Sequence, residues 1–224
     1  MSATVGSTGS RFYDATIGKK VVMAVTGAIL ALFVIVHMLG NLQVLAGAAK
    51  INEYAKLLQS SKPVLWGTRI TLLLAVVLHI RAAVQLYALK AAARPVAYAK
   101  KGHRGSTPAA RFMIWSGYAL GLFIVYHILH FTTGTAHPAF VHGDVFHNVT
   151  TAFKNPVIAG IYIVSMGLLS MHLSHGLYSF TQSLGLSHPR YTARVKGLAR
   201  VLAVVIAAGF AAVPIAVLAA LVKK

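Results

Sequence analysis

Residues 21–40 read VVMAVTGAILALFVIVHMLG, and this stretch decides the fold of the chain. It contains no charged residue, and a helix of this length spans the roughly 30 Å hydrocarbon core of a bilayer at about 1.5 Å per residue. Its one ionisable side chain is that of His37. A histidine inside hydrocarbon loses its water and needs a partner, which makes it a functional candidate.

Five long apolar stretches of this kind follow one another along the 224 residues, at roughly 20–46, 64–90, 111–136, 157–184 and 197–222. The chain is 57% hydrophobic, with a mean hydropathy of +0.71, which is typical of integral membrane proteins. We therefore predict an all-α membrane protein with one five-helix domain at 19–224. An N-terminal tail at 1–18 is expected to be mobile or bound to a partner. No clear internal repeat is evident.

The net charge of +18 comes from Lys and Arg at the helix ends. This placement argues against nucleic-acid binding and follows the positive-inside pattern of membrane proteins. The pattern predicts a cytoplasmic N-terminus, an outer C-terminus and a place in the bacterial cytoplasmic membrane. The predicted inner ends carry the larger share of the charge, namely Arg11, Lys19, Lys20, Lys90, Arg94, Lys100, Lys101, Arg104, Arg111, Arg190, Arg194, Lys196 and Arg200.

The chain contains no cysteine. This excludes disulfides, iron–sulfur clusters held by this chain and covalently attached c-type haem. A b-type haem needs only axial ligands and a pocket, so it stays compatible with the composition.

Four of the five apolar stretches carry one histidine well inside them: His37, His79, His127 and His172. Counted from the membrane entry of each helix, the first and third lie towards the outer face, because both helices run outward. The second and fourth belong to helices that run inward, so they lie towards the inner face. Depth therefore predicts an outer pair, His37 with His127, and an inner pair, His79 with His172. Each pair could bind one haem iron, and four isolated buried histidines bonded to carbonyls are the alternative.

Several other polar residues compete for roles. His130 and His175 each follow a predicted ligand by three residues on the same helix face, but their depth fits the pairs less well. Glu53 and His130 are candidates for contact with a quinone or for proton transfer at the outer side. The remaining outer histidines are expected to be loop or interfacial residues: His137, His142 and His147.

Two segments, Ile35–Leu42 (IVHMLGNL) and His172–Phe180 (HLSHGLYSF), resemble the single-chain di-haem cytochrome b anchor of succinate dehydrogenases and fumarate reductases, the complex II family. The resemblance covers nearly the whole chain. It implies that the four intramembrane histidines are the axial ligands of two b haems. It also implies a quinone substrate, commonly menaquinone, and two partner subunits on the cytoplasmic face, a flavoprotein with FAD and an iron–sulfur protein. No residue for succinate chemistry is then expected on this chain, and the whole complex could form a higher oligomer.

Three other functions remain open at this point. A di-haem cytochrome b could anchor a different respiratory dehydrogenase, which would share the haem spectrum but copurify with other partners. A proton-coupled transporter could use the histidines as a relay, and it would bind no haem. A structural anchor could keep the histidines without a cofactor.

Overall fold

The computed structural model describes residues 12–93, 96 and 106–222. Within these residues every regular element is a helix, and there is no strand. Five helices are long and apolar enough to cross a membrane, which confirms the predicted number. They are α1 (Thr16–Leu42, followed by a 3₁₀ turn, Gln43–Ala46), α3 (Lys62–Ala92), α4 (Pro108–Phe131), α6 (Pro156–Ser183) and α7 (Pro189–Leu218). Two short helices lie between them, α2 (Ala48–Ser60) and α5 (Val145–Phe153).

Proline in the first turn begins α3, α4, α6 and α7. Proline suits this position because the first N–H groups of a helix have no intrahelical acceptor. Side chains before three of these helices accept hydrogen bonds from the free N–H groups: Thr107, Asn155 and His188. Local sequence chemistry therefore sets where these helices start.

Two boundaries differ from the sequence prediction, and one helix was missed. α7 begins at Pro189 rather than near 197, and α4 ends at Phe131 rather than near 136. The chain turns after α4 at Gly134, whose φ of 77° favours glycine. The predicted outer loop at 137–156 contains α5, a helix that the sequence analysis missed. α5 consists largely of weak helix formers, so packing of its apolar face and not propensity holds it.

The helices pack around α1 and α6. α6 packs against α1, α4 and α7, whereas α1 packs against α3, α6 and α7. The pairs α1–α4 and α3–α6 are at most marginally in contact. The two short helices α2 and α5 pack against each other over the end of the bundle where α1 finishes. The bundle is therefore capped at this end, which is the predicted outer one.

Some predictions fall outside the described residues. These are the tail up to Arg11 and the inner-loop cations Arg94, Lys100, Lys101 and Arg104. The rest of the predicted tail does have structure, because α1 already includes Thr16. The Lys19 ammonium is buried and donates hydrogen bonds to the carbonyls of Tyr13 and Asp14, at 2.8 and 2.9 Å.

Asp144 joins the two short helices. Its Oδ1 accepts hydrogen bonds from the His147 N–H at 2.9 Å, which caps α5, and from the Asn52 amide of α2 at 3.0 Å. Asn52 in turn accepts from the Phe146 N–H. The His147 N–H, followed by the Asn52 amide, lowers the pKa of Asp144 below its ordinary value of 3.8. The ionised carboxylate therefore stabilises the cap.

We predict that Asp144→Ala lowers the free energy of unfolding by about 1 kcal/mol, because a helix loses its N-cap. Since folding lowers the Asp144 pKa, its stabilisation is present above pH 3.8 and is lost as pH falls through the lowered value. An SDS unfolding titration of the purified protein in mild detergent measures both effects.

Glu53→Ala is the matched control, because Glu53 lies on the exposed face of α2. Equal destabilisation by the two substitutions would contradict the assignment of the cap to Asp144.

Candidate functional site

The structure brings His37 of α1 and His127 of α4 together in the capped half of the bundle. Their ring centroids lie 5.8 Å apart, with an interplanar angle of 79°. Each ring stacks on a phenylalanine one turn earlier in its own helix, Phe33 at 5.2 Å and Phe123 at 5.9 Å. Phe210 of α7 packs against His37 at 5.8 Å. The two imidazoles thus face each other within an aromatic shell, between helices that are not closely packed.

His79 of α3 and His172 of α6 form a second pair, with ring centroids 6.4 Å apart and an interplanar angle of 59°. Again the two helices that carry the rings are at most marginally in contact. The structure thus places the four histidines in the two pairs that depth along the helices predicts. His175 is not part of either pair of facing rings.

Hydrogen bonds orient both rings of the inner pair. The His79 Nδ1–H donates to the Met23 carbonyl at 3.1 Å and lies 3.2 Å from the Thr26 hydroxyl oxygen. The His172 Nδ1 lies 3.2 Å from the Ser116 hydroxyl. Both hydroxyls donate their own proton to a carbonyl of their helix, so their oxygen atoms accept from the ring. Both histidines therefore carry their proton on Nδ1, and Nε2 keeps a lone pair for a metal.

Two glycines make room for the inner rings. A Cβ built on Gly27 would lie 3.1 Å from Cε1 of His79, and one built on Gly117 would lie 3.7 Å from Cε1 of His172. Both glycines stand one residue after the hydroxyl that binds the ring, at Thr26 and Ser116. The hydroxyl and the adjacent glycine, which has no side chain, together let each imidazole lie close against the neighbouring helix.

The two pairs are separated along the bundle. On α1, Thr26 contacts the inner pair and His37 belongs to the outer pair, 11 residues later. Ser116 and His127 of α4 are also 11 residues apart. At 1.5 Å per residue the two sites lie about 16 Å apart along the helices. Both therefore fit within a hydrocarbon core of about 30 Å.

The donor set would suit a metal that is bound by two imidazoles. No group of three His, Cys, Asp or Glu side chains comes together among the described residues, so each pair lacks the four ligands of a structural zinc site. With metal–nitrogen bonds of about 2 Å and ring centres roughly 1 Å behind the nitrogens, two imidazoles that bound one metal ion would have their centroids up to about 6 Å apart. The observed 5.8 and 6.4 Å match this separation. The residues present therefore fit haem iron.

A second polar cluster lies beside the outer pair. The Tyr162 hydroxyl lies 2.9 Å from Nδ1 of His130 and 3.4 Å from Nδ1 of His127. His130 is 1% exposed, its Nε2 has no partner among the described residues, and its ring stacks on His137 at 4.9 Å. His137 is itself buried and bonded to the Asn148 carbonyl through Nε2 at 2.9 Å.

The sequence analysis placed His137 in a loop, where it lies, but it did not foresee its burial and did not single out Tyr162. No spacing in the sequence links Tyr162 on α6 to His130 on α4, so only the packing of these two helices reveals the cluster. Of the two quinone or proton candidates, His130 lies next to the outer pair through Tyr162. Glu53 is exposed on α2 and makes no hydrogen bond to either pair within the described part of the chain.

We predict that Gly27→Ala destabilises the protein by about 1–3 kcal/mol, because its Cβ forces the His79 ring to move. Gly117→Ala is the matched control, since a Cβ at 3.7 Å is in ordinary contact. Alanine also favours a helix over glycine by about 0.5–1 kcal/mol, so this control should be neutral or slightly stabilising. Thermal unfolding in detergent compares the two, and equal losses would contradict the close approach of His79 to α1.

Comparisons with protein-family models, with curated proteins and with solved structures find no match for this chain. Any functional assignment therefore depends on the geometry of the two histidine pairs and on the resemblance of the two sequence segments.

Proposed function

We propose that the chain is the di-haem cytochrome b anchor of a succinate:quinone oxidoreductase. In this proposal His37 and His127 hold the outer haem b, and His79 and His172 hold the inner one. The single observation that carries the proposal is the meeting of four intramembrane histidines as two separate pairs, at ring separations that would let each pair hold one haem iron. The resemblance of IVHMLGNL and HLSHGLYSF to the family supplies the choice of enzyme.

In this function the chain itself would hold and orient the two haems and would exclude water from both sites. A b haem, when bound, accepts and returns one electron at its iron. Thr26 and Ser116 accept hydrogen bonds from Nδ1 of the two inner rings, which would leave Nε2 of His79 and His172 free to hold the iron. The Phe33, Phe123 and Phe210 rings exclude water around the outer pair. Burial and hydrogen bonding to the ligands are the means by which the chain sets the potentials.

The two sites fit a path for electrons across the membrane. About 16 Å of helix separates them, and residues of α1, α4 and α6 contribute to both. In the proposed complex, oxidation of succinate to fumarate on the flavoprotein partner releases two electrons and two protons. The iron–sulfur partner delivers the electrons to this chain, and menaquinone takes up two electrons and two protons to become menaquinol. The basic inner ends of the helices would face both soluble partners on the cytoplasmic side.

We predict two b haems per polypeptide in the purified complex, counted from a reduced-minus-oxidised spectrum. His79→Ala and His172→Ala should each remove the inner haem, because the two ligands share one iron. His37→Ala and His127→Ala should each remove the outer haem.

His175→Ala is the matched control on α6, since His175 lies one turn after His172 but belongs to neither pair, and both haems should remain. Loss of the same haem in His79→Ala and His37→Ala would overturn the pairing. A folded wild-type protein without haem would favour the transporter or the bare anchor. Copurification of hydrogenase or formate dehydrogenase subunits would show that the chain anchors one of those enzymes and not a succinate dehydrogenase.

The proposed orientation is testable because the chain has no cysteine. A cysteine at Leu57, an exposed position on α2 beside the capped end, should react with a membrane-impermeant maleimide in intact bacterial spheroplasts. A cysteine at Leu186, exposed between α6 and α7, should react only after the membrane is opened. The reverse labelling pattern would place the cap and the outer pair on the cytoplasmic side.

A further inference from the structure

α1 and α4 share a sequence pattern that becomes visible once their contacts are known. Residues 23–39 and 113–129, offset by 90, align without a gap. Thr26 and Ser116, both hydroxyl residues, occupy equivalent positions. The identical pairs are Met23/Met113, Gly27/Gly117, Leu30/Leu120, Leu32/Leu122, Phe33/Phe123, His37/His127 and Leu39/Leu129.

α3 and α6 align in the same way with an offset of 93. α2 ends at Ser60 and α5 at Phe153, which are also 93 residues apart. The match is weaker than between α1 and α4 and is concentrated at the helix starts and at the histidine. The identical pairs are Pro63/Pro156, Val64/Val157, Gly67/Gly160, Ile70/Ile163 and His79/His172.

The contacts repeat together with the sequence. In each half, a hydroxyl on the first helix donates to the carbonyl three or four residues earlier and binds Nδ1 of the histidine on the second helix, at 3.2 Å in both cases. The histidine of each first helix stacks on the phenylalanine one turn before it. α1 packs on α3 as α4 packs on α6, and each half has a short helix between its two long ones.

Equivalent residues meet at both sites. His37 faces His127, and His79 faces His172. A two-fold rotation that exchanges the halves therefore maps each pair onto itself, and the midpoint of each pair lies on the rotation axis. Because α1 and α4 run in the same direction, this axis is parallel to the helices, as in parallel transporter repeats.

We propose that residues 16–92 and 108–183 are two copies of one unit, whose two-fold axis passes through both histidine pairs, and that Tyr162 and His130 are additions to the second copy that orient His127 alone. α7 belongs to neither copy and packs on one side, against α1 and α6.

The second part of this proposal comes from the positions where the copies differ. Three aromatic residues form a cluster beside the outer pair: Tyr126, His130 and Tyr162. They stand where the first copy has Val36, Gly40 and Arg69. In the first copy, Gly40 occupies the position of His130. The Tyr54 ring fills the space beside it and lies 2.8 Å from a Cβ built on Gly40.

The first copy has no such cluster beside His37, whose ring packs against Phe33 and Phe210 instead. The Tyr162 hydroxyl bridges Nδ1 of His127 and Nδ1 of His130. It is thus the outer counterpart of the Thr26 and Ser116 hydroxyls, but it is present on one side of the axis only. Tyr162 is a positioning residue for His127, and His130 holds Tyr162 in place.

The symmetry has a test that does not depend on a cofactor. Leu32 and Leu122 are equivalent and exposed, at 66% and 75%, and so are Val64 and Val157, at 64% and 69%. We expect the spin-label distances in the double variants L32C/V157C and L122C/V64C to be the same, because a two-fold rotation exchanges them. Pulsed electron resonance on the full chain, which has no other cysteine, measures both distances.

The variants L32C/V64C and L122C/V157C are the matched controls, because equal distances within each copy require only similar units and no axis. Equal control distances with unequal distances between copies would overturn the two-fold axis. Unequal control distances would overturn the duplication itself.

The asymmetry is tested in the haem-loaded complex and rests on the proposed function. Thr26→Val and Ser116→Ala should each weaken retention of the inner haem by about 10–100-fold and to a similar extent. Tyr162→Phe should weaken retention of the outer haem alone and shift its low-spin resonance signal. Tyr126→Phe is the matched control, since the Tyr126 hydroxyl makes no hydrogen bond in the described residues and its ring stacks on His130.

Each result points to one of the two proposals. Absence of haem with equal spin-label distances would refute the proposed function and leave the duplication standing. Two haems with unequal distances between copies would support the proposed function and refute the two-fold axis. A Tyr162→Phe variant that disturbs both haems, or neither, would overturn the role of Tyr162 as a positioning residue for His127.

Discussion

The structure depends on four imidazoles that lie in the bundle interior as two facing pairs. A buried imidazole without a partner is costly in hydrocarbon, so the surrounding helices must supply hydrogen bonds, aromatic contacts or a metal. α1 and α6 pack against each other, whereas α4 is not in close contact with α1 and α3 is not in close contact with α6. The histidines are the groups that reach across the two spaces left between helices. Backbone packing elsewhere in the bundle therefore sets the ring separations of 5.8 and 6.4 Å.

The two pairs are held by different chemistry. At the inner pair, Thr26 and Ser116 bind Nδ1 of the two rings through hydroxyls that are anchored to their own helix backbones. At the outer pair, the two rings stack on Phe33 and Phe123. Of these two rings, only that of His127 is bonded to a hydroxyl among the described residues, through Nδ1. Hydrogen bonding to an imidazole changes its basicity, so the rings of the two pairs differ in electronic character.

The capped end adds a further difference between the sites. α2 and α5 close over the outer half, joined by the bonds of Asp144 and Asn52, and their apolar faces complete the larger of the two core clusters. Tyr162 belongs to that core and also to the polar cluster of His130 and His137. The opposite half has no such cap among the described residues. One end of the bundle is therefore sealed by protein, which suits a site that must be separated from water.

Much of the architecture follows from local sequence properties. The length and apolarity of five stretches predict the long helices, and proline with its capping residues predicts where four of them begin, because these features act within one or two turns. Counting residues along the helices also predicts which histidines share a depth. The helix α5 escaped prediction because its residues favour a helix only when their apolar face is buried, and the boundaries near 136 and 197 were wrong by several residues.

Sequence by itself determined that four histidines lie inside the hydrocarbon span, because hydropathy and the helical rise depend only on the order of residues. Only the tertiary structure decided which hydroxyl binds which ring, since Thr26 and His79, or Ser116 and His172, lie far apart in the chain and meet through helix packing. The burial of His137 and the bridge from Tyr162 to His130 were decided in the same way. Such contacts join residues from different helices, and no local pattern specifies how helices pack against one another.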